Sequence, residues 1–311
     1  MMATSDTVTG EATSLAALEI LDHQGVNWTK VRSTAYLIHQ HFHYEYTGPI
    51  RDLRQRLVII PPEHHGDQRL VTHHLEVSSP TAEIQSDVDA FGNHVISLAV
   101  PHVERAIDFV AWIVAERETS ARALAITPEL HAGAVFREPS PLTKPDAALR
   151  DAAASFHSDS DDALGLARRI NRRVFEEMRY TAGVTGVRTP AIEAYALRQG
   201  VCQDYAHVML VLCRLSGLPA RYVSGHLLGE GGTHAWVEVL LPDPDNDGQF
   251  VARAFDPTHG SEPGMNYVTV ATGRDYGDVA PTSGTFVAPH QGELSTSKRT
   301  GLTSISYFPE G

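Results

Sequence analysis

The sequence predicts an α+β protein in which an N-terminal β-sandwich-like domain precedes a core that packs a helix on an antiparallel sheet. Two patterns lead to this prediction. Apolar and polar residues alternate with period two through 36–46, and further strand-like segments separated by turns continue to residue 100. Beyond residue 160 the apolar period becomes helical, and a helix is then followed by a hairpin. A length of 311 residues suits two such domains.

The N-terminal elements are predicted from alternation and turn residues. In the segment 36–46 one face carries Ile38, Phe42, Tyr44 and Tyr46, and the other carries His39, His41, His43 and Glu45. Further strands are expected at 54–60, 70–78, 81–88 and 94–100, with an edge strand at 108–117. We therefore expect a tail at 1–28, a β-rich domain at 29–120, a connecting region at 121–160, a core at 161–290 and a tail at 291–311.

Two helices of the core are predicted from their apolar period and their caps. The first spans about 161–179, where apolar residues recur every three or four positions. The second starts near Gly200 and continues through Leu215, because Gly217 suits a helix C-cap and Pro219 prevents continuation. Cys202 is then placed in the first turn of this second helix.

Charge and cysteine content exclude several functional classes. Lys and Arg number 25 against 38 Asp and Glu, a net charge of −13, which argues against a nucleic-acid-binding face. No apolar run reaches the roughly 20 residues that span a bilayer, so no membrane partner is expected, and the N-terminus does not resemble a secretory signal. The helix would separate Cys202 from Cys213 by roughly 16 Å, too far for a disulfide. Two free thiols favour a cytoplasmic location.

The position of Cys202 suggests a reactive thiol. A helix N-terminus presents unpaired backbone N–H groups and a partial positive charge, which favours thiolate over thiol. The backbone N–H of Cys202 itself could donate to an oxyanion that forms beside the sulfur. Most cysteines are buried and inert, so position alone leaves the inert alternative open.

A hairpin downstream supplies partners for this thiol. The segments 237–241 and 250–255 read as strands joined by an acidic turn. If the hairpin is symmetric about Asp245, His234 faces Asp256, and the carboxylate can orient and charge the imidazole. Cys202, His234 and Asp256 then form a nucleophilic Cys-His-Asp triad.

Five motifs resemble the bacterial transglutaminase-like superfamily. They are Gly-Val-Cys-Gln-Asp-Tyr-Ala-His at 200–207, Cys-Arg-Leu-Ser-Gly-Leu-Pro-Ala-Arg-Tyr-Val-Ser-Gly at 213–225, His-Ala-Trp-Val-Glu at 234–238, Phe-Asp-Pro-Thr at 255–258 and Gly-Arg-Asp-Tyr-Gly-Asp-Val-Ala-Pro at 273–281. Upstream, the β-rich region with Asp-Ala-Phe-Gly-Asn at 89–93 is similar to the N-terminal domain that often precedes this core. The resemblance covers roughly 31–287.

The resemblance implies a papain-like α+β core with Cys202 as nucleophile, His234 as base and Asp256 as orienting carboxylate. Eukaryotic-type relatives use an upstream Trp at the oxyanion site, but none lies between Trp112 and Trp236 here. The second oxyanion donor is therefore open, and Tyr180 is a candidate. Trp236 is a candidate substrate platform, with a core role as the alternative.

Two possible metal-binding motifs are weaker signals than the triad. The acidic turn at 243–248 matches the first half of a calcium loop, but Ala254 stands where the bidentate Glu belongs. His39, His41 and His43 could ligate zinc or nickel, yet without a nearby carboxylate or thiolate in sequence a solvated face is favoured. We therefore expect neither metal nor cofactor.

The expected function is acyl transfer on a peptide, protein or other amide substrate through a thioester. Hydrolysis by a protease or amidase is favoured over transamidation, because bacterial members of the family are often proposed to be proteases. A binding or scaffold protein that retains the fold without turnover is the main alternative. A metallohydrolase built on the histidines is a third.

Overall fold

The computed structural model describes residues 15, 17–119, 124–156 and 162–309. Within these residues the chain is α+β and its sheets are largely antiparallel, which confirms the predicted fold class. Two β-sheets form an N-terminal sandwich, and a third sheet forms the core together with the helices. None of the helices in these residues is long and apolar enough to cross a membrane.

Two antiparallel sheets of the sandwich enclose one apolar core. In spatial order the first contains β16 (Gly292–Tyr307), β1 (Val31–Tyr46), β7 (Ala106–Glu118), β4 (Gln68–Val77) and β3 (His64–His65). The second contains β15 (Thr282–Val287), β2 (Ile50–Leu57), β6 (His94–Val103) and β5 (Glu83–Val88). As the alternation predicts, Ile38 and Phe42 of β1 are buried between the sheets, whereas His39, His41 and His43 are only partly covered on the outer face.

The core sheet has five antiparallel strands with helices packed against it. In spatial order its strands are β14 (Tyr267–Gly273), β11 (Ala220–Leu227), β12 (His234–Pro242), β13 (Phe250–Phe255) and β8 (Leu124–Ile126). The helices are α1 (Pro128–Ala132), α2 (Ala147–Ala154), α3 (Ala163–Glu177), α4 (Ala191–Leu197), α5 (Cys202–Leu215) and α6 (Tyr276–Val279). Two short parallel strands, β9 (Arg179–Tyr180) and β10 (Gln199–Gly200), lead into α5.

Helix α5 lies at the centre of the core. It packs on β12 on one side and on α2, α3 and α4 on the other. Every residue from Gln203 to Arg214 is buried, so the helix is enclosed all round and only its two end residues, Cys202 and Leu215, are partly exposed. The predicted packing of the Cys202 helix on an antiparallel sheet is therefore present.

Three assignments along the chain differ from prediction. The expected tail at 291–311 contains the 16-residue strand β16, which pairs with β1 over most of its length. The expected edge strand at 108–117 is β7, an interior strand between β1 and β4. The connecting region 121–160 contributes β8 to the edge of the core sheet. The proposed boundaries at 120–121 and 160–161, and most of the N-terminal tail, lie outside the described residues.

There is a physical reason why the sequence does not predict strand β16. Strand β16 is rich in Ser, Thr and charged residues, and only a few of its side chains, such as Leu302, are buried. An edge strand of this composition lacks the apolar alternation that identifies β1. The chain thus leaves the core after α6 and returns to the sandwich through β15 and β16.

Candidate active site

Cys202 is the first residue of α5 and is half-buried. The Asp204 carboxylate closes the first turn, since it accepts hydrogen bonds from the Val201 N–H and the Thr185 hydroxyl, both at 2.7 Å. A Cβ atom at Gly200 would overlap this carboxylate, so the entry to the helix requires glycine. The thiol is thereby held at a helix N-terminus, the position that the sequence predicts for it.

His234 and Asp256 form the predicted pair, although the hairpin register differs from prediction. His234 Nε2 lies 2.7 Å from Asp256 Oδ2, and both residues are buried. Strand pairing joins Val237 to Phe255, a shift of two residues from the symmetric arrangement. Because side chains alternate with period two, this shift keeps the same face, and His234 becomes the diagonal neighbour of Asp256.

Asp256 accepts more hydrogen bonds than a simple orienting partner needs. Besides His234, its Oδ2 accepts from His259 Nδ1 and the Tyr267 hydroxyl, each at 2.8 Å. Its Oδ1 accepts from the backbone N–H of Thr258 at 2.9 Å. Burial opposes ionisation, but the bonds from His234, His259 and Tyr267 and the charge of His234 hold the pKa of Asp256 well below its usual range. This carboxylate is a fixed negative charge.

His234 is held in its charged form. Burial lowers the pKa of His234, but hydrogen bonds with Asp256, Cys202 and Glu230 outweigh it and raise the pKa to about 12. Asp256 faces Nε2, so Nδ1 is the ring nitrogen left for other partners. Glu230 approaches the same nitrogen, with Oε2 at 3.2 Å. The site therefore favours an imidazolium beside the sulfur, the charge arrangement that stabilises a thiolate.

Trp236 is buried, as its alternative core role requires, and its role as a substrate platform stays a prediction. Its exposed fraction is 1%, and its ring stacks on His234 with centroids 6.1 Å apart. A Cβ atom at Gly225 would overlap this ring and the Val268 carbonyl. Trp236 thus fills the space behind His234 and fixes the orientation of the imidazole.

Tyr180 lies at the mouth of the site. It is 57% exposed, and its hydroxyl is close enough to Cys202, Glu230 and His234 to interact with their charges. Burial and the charges of Cys202 and Glu230 raise the pKa of Tyr180, so the hydroxyl retains its proton and can donate. Its role as an oxyanion donor stays a prediction.

The structure adds three residues that the sequence reasoning missed: Glu230, His259 and Tyr267. Glu230 precedes β12 in a Gly-Glu-Gly-Gly loop, and its carboxylate also lies 3.6 Å from His259 Nε2. His259 belongs to the turn after Asp256, and Tyr267 reaches the site from β14. The only sequence signals were a carboxylate four residues before His234 and a histidine three residues after Asp256.

Cys213 is not a candidate nucleophile, and one cluster at the site carries donor atoms of the kind that bind metal ions. Cys213 is buried, and burial raises the pKa of its thiol to about 12, which leaves it unreactive. His234, Asp256 and His259 offer three donor atoms within 4.8 Å of one another, but His234 and Asp256 are buried, and Asp256 Oδ2 also accepts from Tyr267.

Both parts of the chain match known protein families. Residues 150–253 match the transglutaminase-like superfamily, and residues 36–116 match the bacterial transglutaminase-like N-terminal region. The first match includes Cys202 and His234 and ends just before Asp256.

Similar chains and structures are also known. An uncharacterized protein of Mycobacterium tuberculosis H37Rv is 28% identical over 253 residues, covering 72% of this chain and 79% of that protein. An uncharacterized protein of Mycobacterium leprae is 28% identical over 249 residues, covering 73% of this chain and 84% of that protein. A solved structure of a Cytophaga hutchinsonii protein, described as a candidate cysteine protease, superposes with a TM-score of 0.71 at 21% identity, covering 90% of this chain and 94% of that one. The fold is therefore shared over both the sandwich and the core.

Proposed function

Because this chain belongs to the transglutaminase-like superfamily, we propose that it is a cysteine-dependent acyl-transfer enzyme acting on peptide or other amide substrates. One observation carries the proposal: the buried His234–Asp256 pair, joined at 2.7 Å, lies next to a cysteine at a helix start. These are the three parts that nucleophilic cysteine catalysis requires.

The chemistry follows from the charges of the site. The Cys202 thiolate attacks an amide carbonyl, and the backbone N–H of Cys202 and the Tyr180 hydroxyl donate to the oxyanion. The His234 imidazolium gives its Nδ1 proton to the leaving amine as the C–N bond breaks, which leaves a thioester and a neutral imidazole. Neutral His234 then takes a proton from water, and attack on the thioester releases a carboxylic acid and regenerates the thiolate.

Hydrolysis is the favoured outcome over transfer to an amine. The groups around the thiol are open to solvent, since Tyr180 is 57% exposed and the Glu230 side chain 41% exposed. Water can therefore reach a thioester on Cys202, whereas efficient transamidation needs water to be excluded.

A peptide mixture analysed by mass spectrometry tests the proposal. The full-length protein is incubated with the mixture with and without a small primary amine, and products of cleavage, deamidation or amine addition are scored. We expect hydrolytic products from wild type and from Cys213→Ser, and none from Cys202→Ala. Equal product formation by wild type and Cys202→Ala would overturn the thioester mechanism.

Alkylation separates an enzyme from a binding module that only retains the fold. A thiol-directed alkylator should label Cys202 rapidly and spare the buried Cys213. Slow labelling of Cys202, at the rate of an ordinary exposed thiol, together with an absence of products would favour the non-catalytic alternative.

A further inference from the structure

The outer face of the first sandwich sheet brings two histidines and an aspartate together, away from the triad. His41 Nε2 and His43 Nδ1 each lie 2.7 Å from Asp108 Oδ1. The three donor atoms lie within 4.8 Å of one another, and the two imidazole rings meet edge to face with centroids 6.3 Å apart. The side chains are 33–38% exposed, so solvent and ions can reach them.

Strand pairing creates this group. His41 and His43 are two residues apart on β1 and so share its outer face. Strand β7 runs antiparallel beside β1 in a register that places Asp108 directly opposite His43 and diagonal to His41. Asp108 is 65 residues from His43 in sequence, which is why the sequence showed two histidines without a carboxylate.

We propose that His41, His43 and Asp108 bind one divalent first-row transition-metal ion, with Zn²⁺ as the expected occupant. Two imidazoles and a carboxylate are a donor set that zinc accepts, and three protein ligands leave a position for water. Zinc ligands stand about 2.0–2.2 Å from the metal, which places donor atoms roughly 3.3–3.6 Å apart in a tetrahedron. To reach that spacing the two His–Asp pairs, now 2.7 Å apart, would lengthen by less than about 1 Å as the side chains turn toward the ion, and all three donor atoms already lie within 4.8 Å of one another.

The ion would join β1 to β7 on the outer face of the first sandwich sheet. Both strands are interior strands of the first sheet, flanked by β16 and β4. A metal bridge across them stabilises the folded sandwich by its binding free energy, because the unfolded chain does not hold the three ligands together. The site neither contacts Cys202 nor takes part in the thioester chemistry, and the inference does not depend on the proposed function.

Titration of the protein with metal ions alone tests the site. Untagged, metal-stripped full-length protein carrying Cys202→Ser, which removes the half-buried thiol as a competing ligand, is titrated with Co²⁺ by visible absorption and with Zn²⁺ by calorimetry. We expect one ion per chain, the absorption bands of four- or five-coordinate Co²⁺, and a higher Tm with Zn²⁺. His43→Gln and Asp108→Asn should each weaken binding by more than about 100-fold.

A matched control shares the strand and the face. His39 lies two residues from His41, but its ring packs at a tilt against Trp112, with centroids 4.1 Å apart, outside the donor group, so His39→Gln is the control. It should bind Zn²⁺ like the parent.

Two results would overturn the proposal. One is an absence of binding, which would leave the group a hydrogen-bonded His-Asp-His cluster. The other is binding that persists in both His43→Gln and Asp108→Asn but is lost in His259→Gln, which would place the ion at the triad. Far-UV circular dichroism of each variant tests whether a variant that no longer binds the metal ion is still folded.

Discussion

Asp256 is the residue on which the electrostatics of the site depend. Its Oδ2 accepts from His234, His259 and Tyr267, and its Oδ1 accepts from the Thr258 N–H. A carboxylate can accept on both oxygens, whereas an amide has one acceptor and one donor group. Asparagine at this position would therefore turn its NH₂ group toward one of the two sets of donors, whichever way it is oriented.

We predict that Asp256→Asn lowers turnover by roughly 10- to 100-fold, less than the complete loss on Cys202→Ala. The imidazolium loses its main charge partner, so it stabilises a thiolate less well. The pH at which alkylation of Cys202 reaches half its maximal rate should be lowest in wild type, intermediate in Asp256→Asn and highest in His234→Ala. Coincident alkylation profiles in the three proteins would show that His234 and Asp256 do not act on Cys202.

Glu230 is a second carboxylate on the same imidazole. Its hydrogen bond with His234 outweighs burial and lowers the pKa of Glu230, and the same contact helps to raise the pKa of His234. Removing the charge with Glu230→Gln should therefore lower the pH at which His234 loses its proton, by less than Asp256→Asn does, because Glu230 is partly solvated.

Imidazole ¹⁵N NMR against pH measures this change directly. Glu262→Gln is the matched control, because Glu262 is an exposed carboxylate paired with Arg168. An unchanged His234 titration in Glu230→Gln would mean that the Glu230 contact is not kept in solution.

The sequence predicts Cys202, His234 and Asp256 as the proposed triad but does not predict the residues around them, and the reason is physical. Cys202, His234 and Asp256 lie at a helix start and near the ends of hairpin strands, where local patterns are informative. Tyr267 reaches Asp256 from β14, and Gly225 makes room for Trp236 from β11. These contacts depend on which strands become neighbours, and no local period encodes that.

At the scale of elements, β12 carries a second buried charge besides His234. Glu238 Oε2 pairs with Arg221 of β11 at 2.6 Å, and Oε1 pairs with His65 of β3 at 2.8 Å. Burial opposes its ionisation, but the charges of Arg221 and His65 prevail and lower the pKa of Glu238 to about 2. The strand is thus tied on one side to its neighbour and on the other to the sandwich.

The ion pairs of Glu238 should make the stability of the folded protein sensitive to acid. The folded pKa of Glu238 is below the value of an unfolded glutamate, so its stabilisation is present above about pH 4.5 and is lost as the pH falls toward 2. We predict that Glu238→Gln lowers the free energy of unfolding by about 3 kcal/mol at pH 7, because Arg221 is left buried without a counter-charge. The difference from wild type should shrink as the pH approaches 2.

Urea unfolding at several pH values measures this difference. Glu116→Gln removes an exposed carboxylate paired with Arg69 and should change stability little at any pH. A pH-independent difference between wild type and Glu238→Gln would contradict the assignment of this ionisation.

Element prediction succeeded where burial leaves a pattern and failed where it does not. The alternation of β1 is confirmed because one face is buried against the second sheet. Strand β16 pairs with β1 yet keeps most side chains in solvent, so its composition resembles a tail. The hairpin β12–β13 was predicted in type but misplaced by two residues, since its turn does not follow the symmetric form.

At the scale of the whole molecule, two amide side chains of the sandwich dock onto the open edge of β14. The Gln68 side chain donates to the Thr269 carbonyl at 2.7 Å and accepts from the Thr269 N–H at 2.8 Å. Asn93 does the same with the carbonyl and N–H of Thr272, both at 2.8 Å. Each amide replaces a neighbouring strand, so the unpaired edge of the core sheet is satisfied by the other domain.

The sandwich should therefore stabilise the strand that carries Tyr267. Gln68→Leu leaves the buried N–H and carbonyl of Thr269 without partners, and we predict a loss of about 1–3 kcal/mol in the free energy of unfolding. Amide hydrogen exchange at Thr269 should accelerate, and turnover should fall because Tyr267, two residues away, holds Asp256.

Two variants test whether the Gln68 amide itself stabilises β14. Gln68→Glu keeps an acceptor for the Thr269 N–H but loses the donor to the Thr269 carbonyl, so its exchange rate should lie between those of wild type and Gln68→Leu. Gln85→Leu replaces an exposed amide on β5 and should match wild type. Unchanged exchange at Thr269 in Gln68→Leu would show that β14 is held by its own sheet, and the sandwich would then have no part in positioning the triad through this edge.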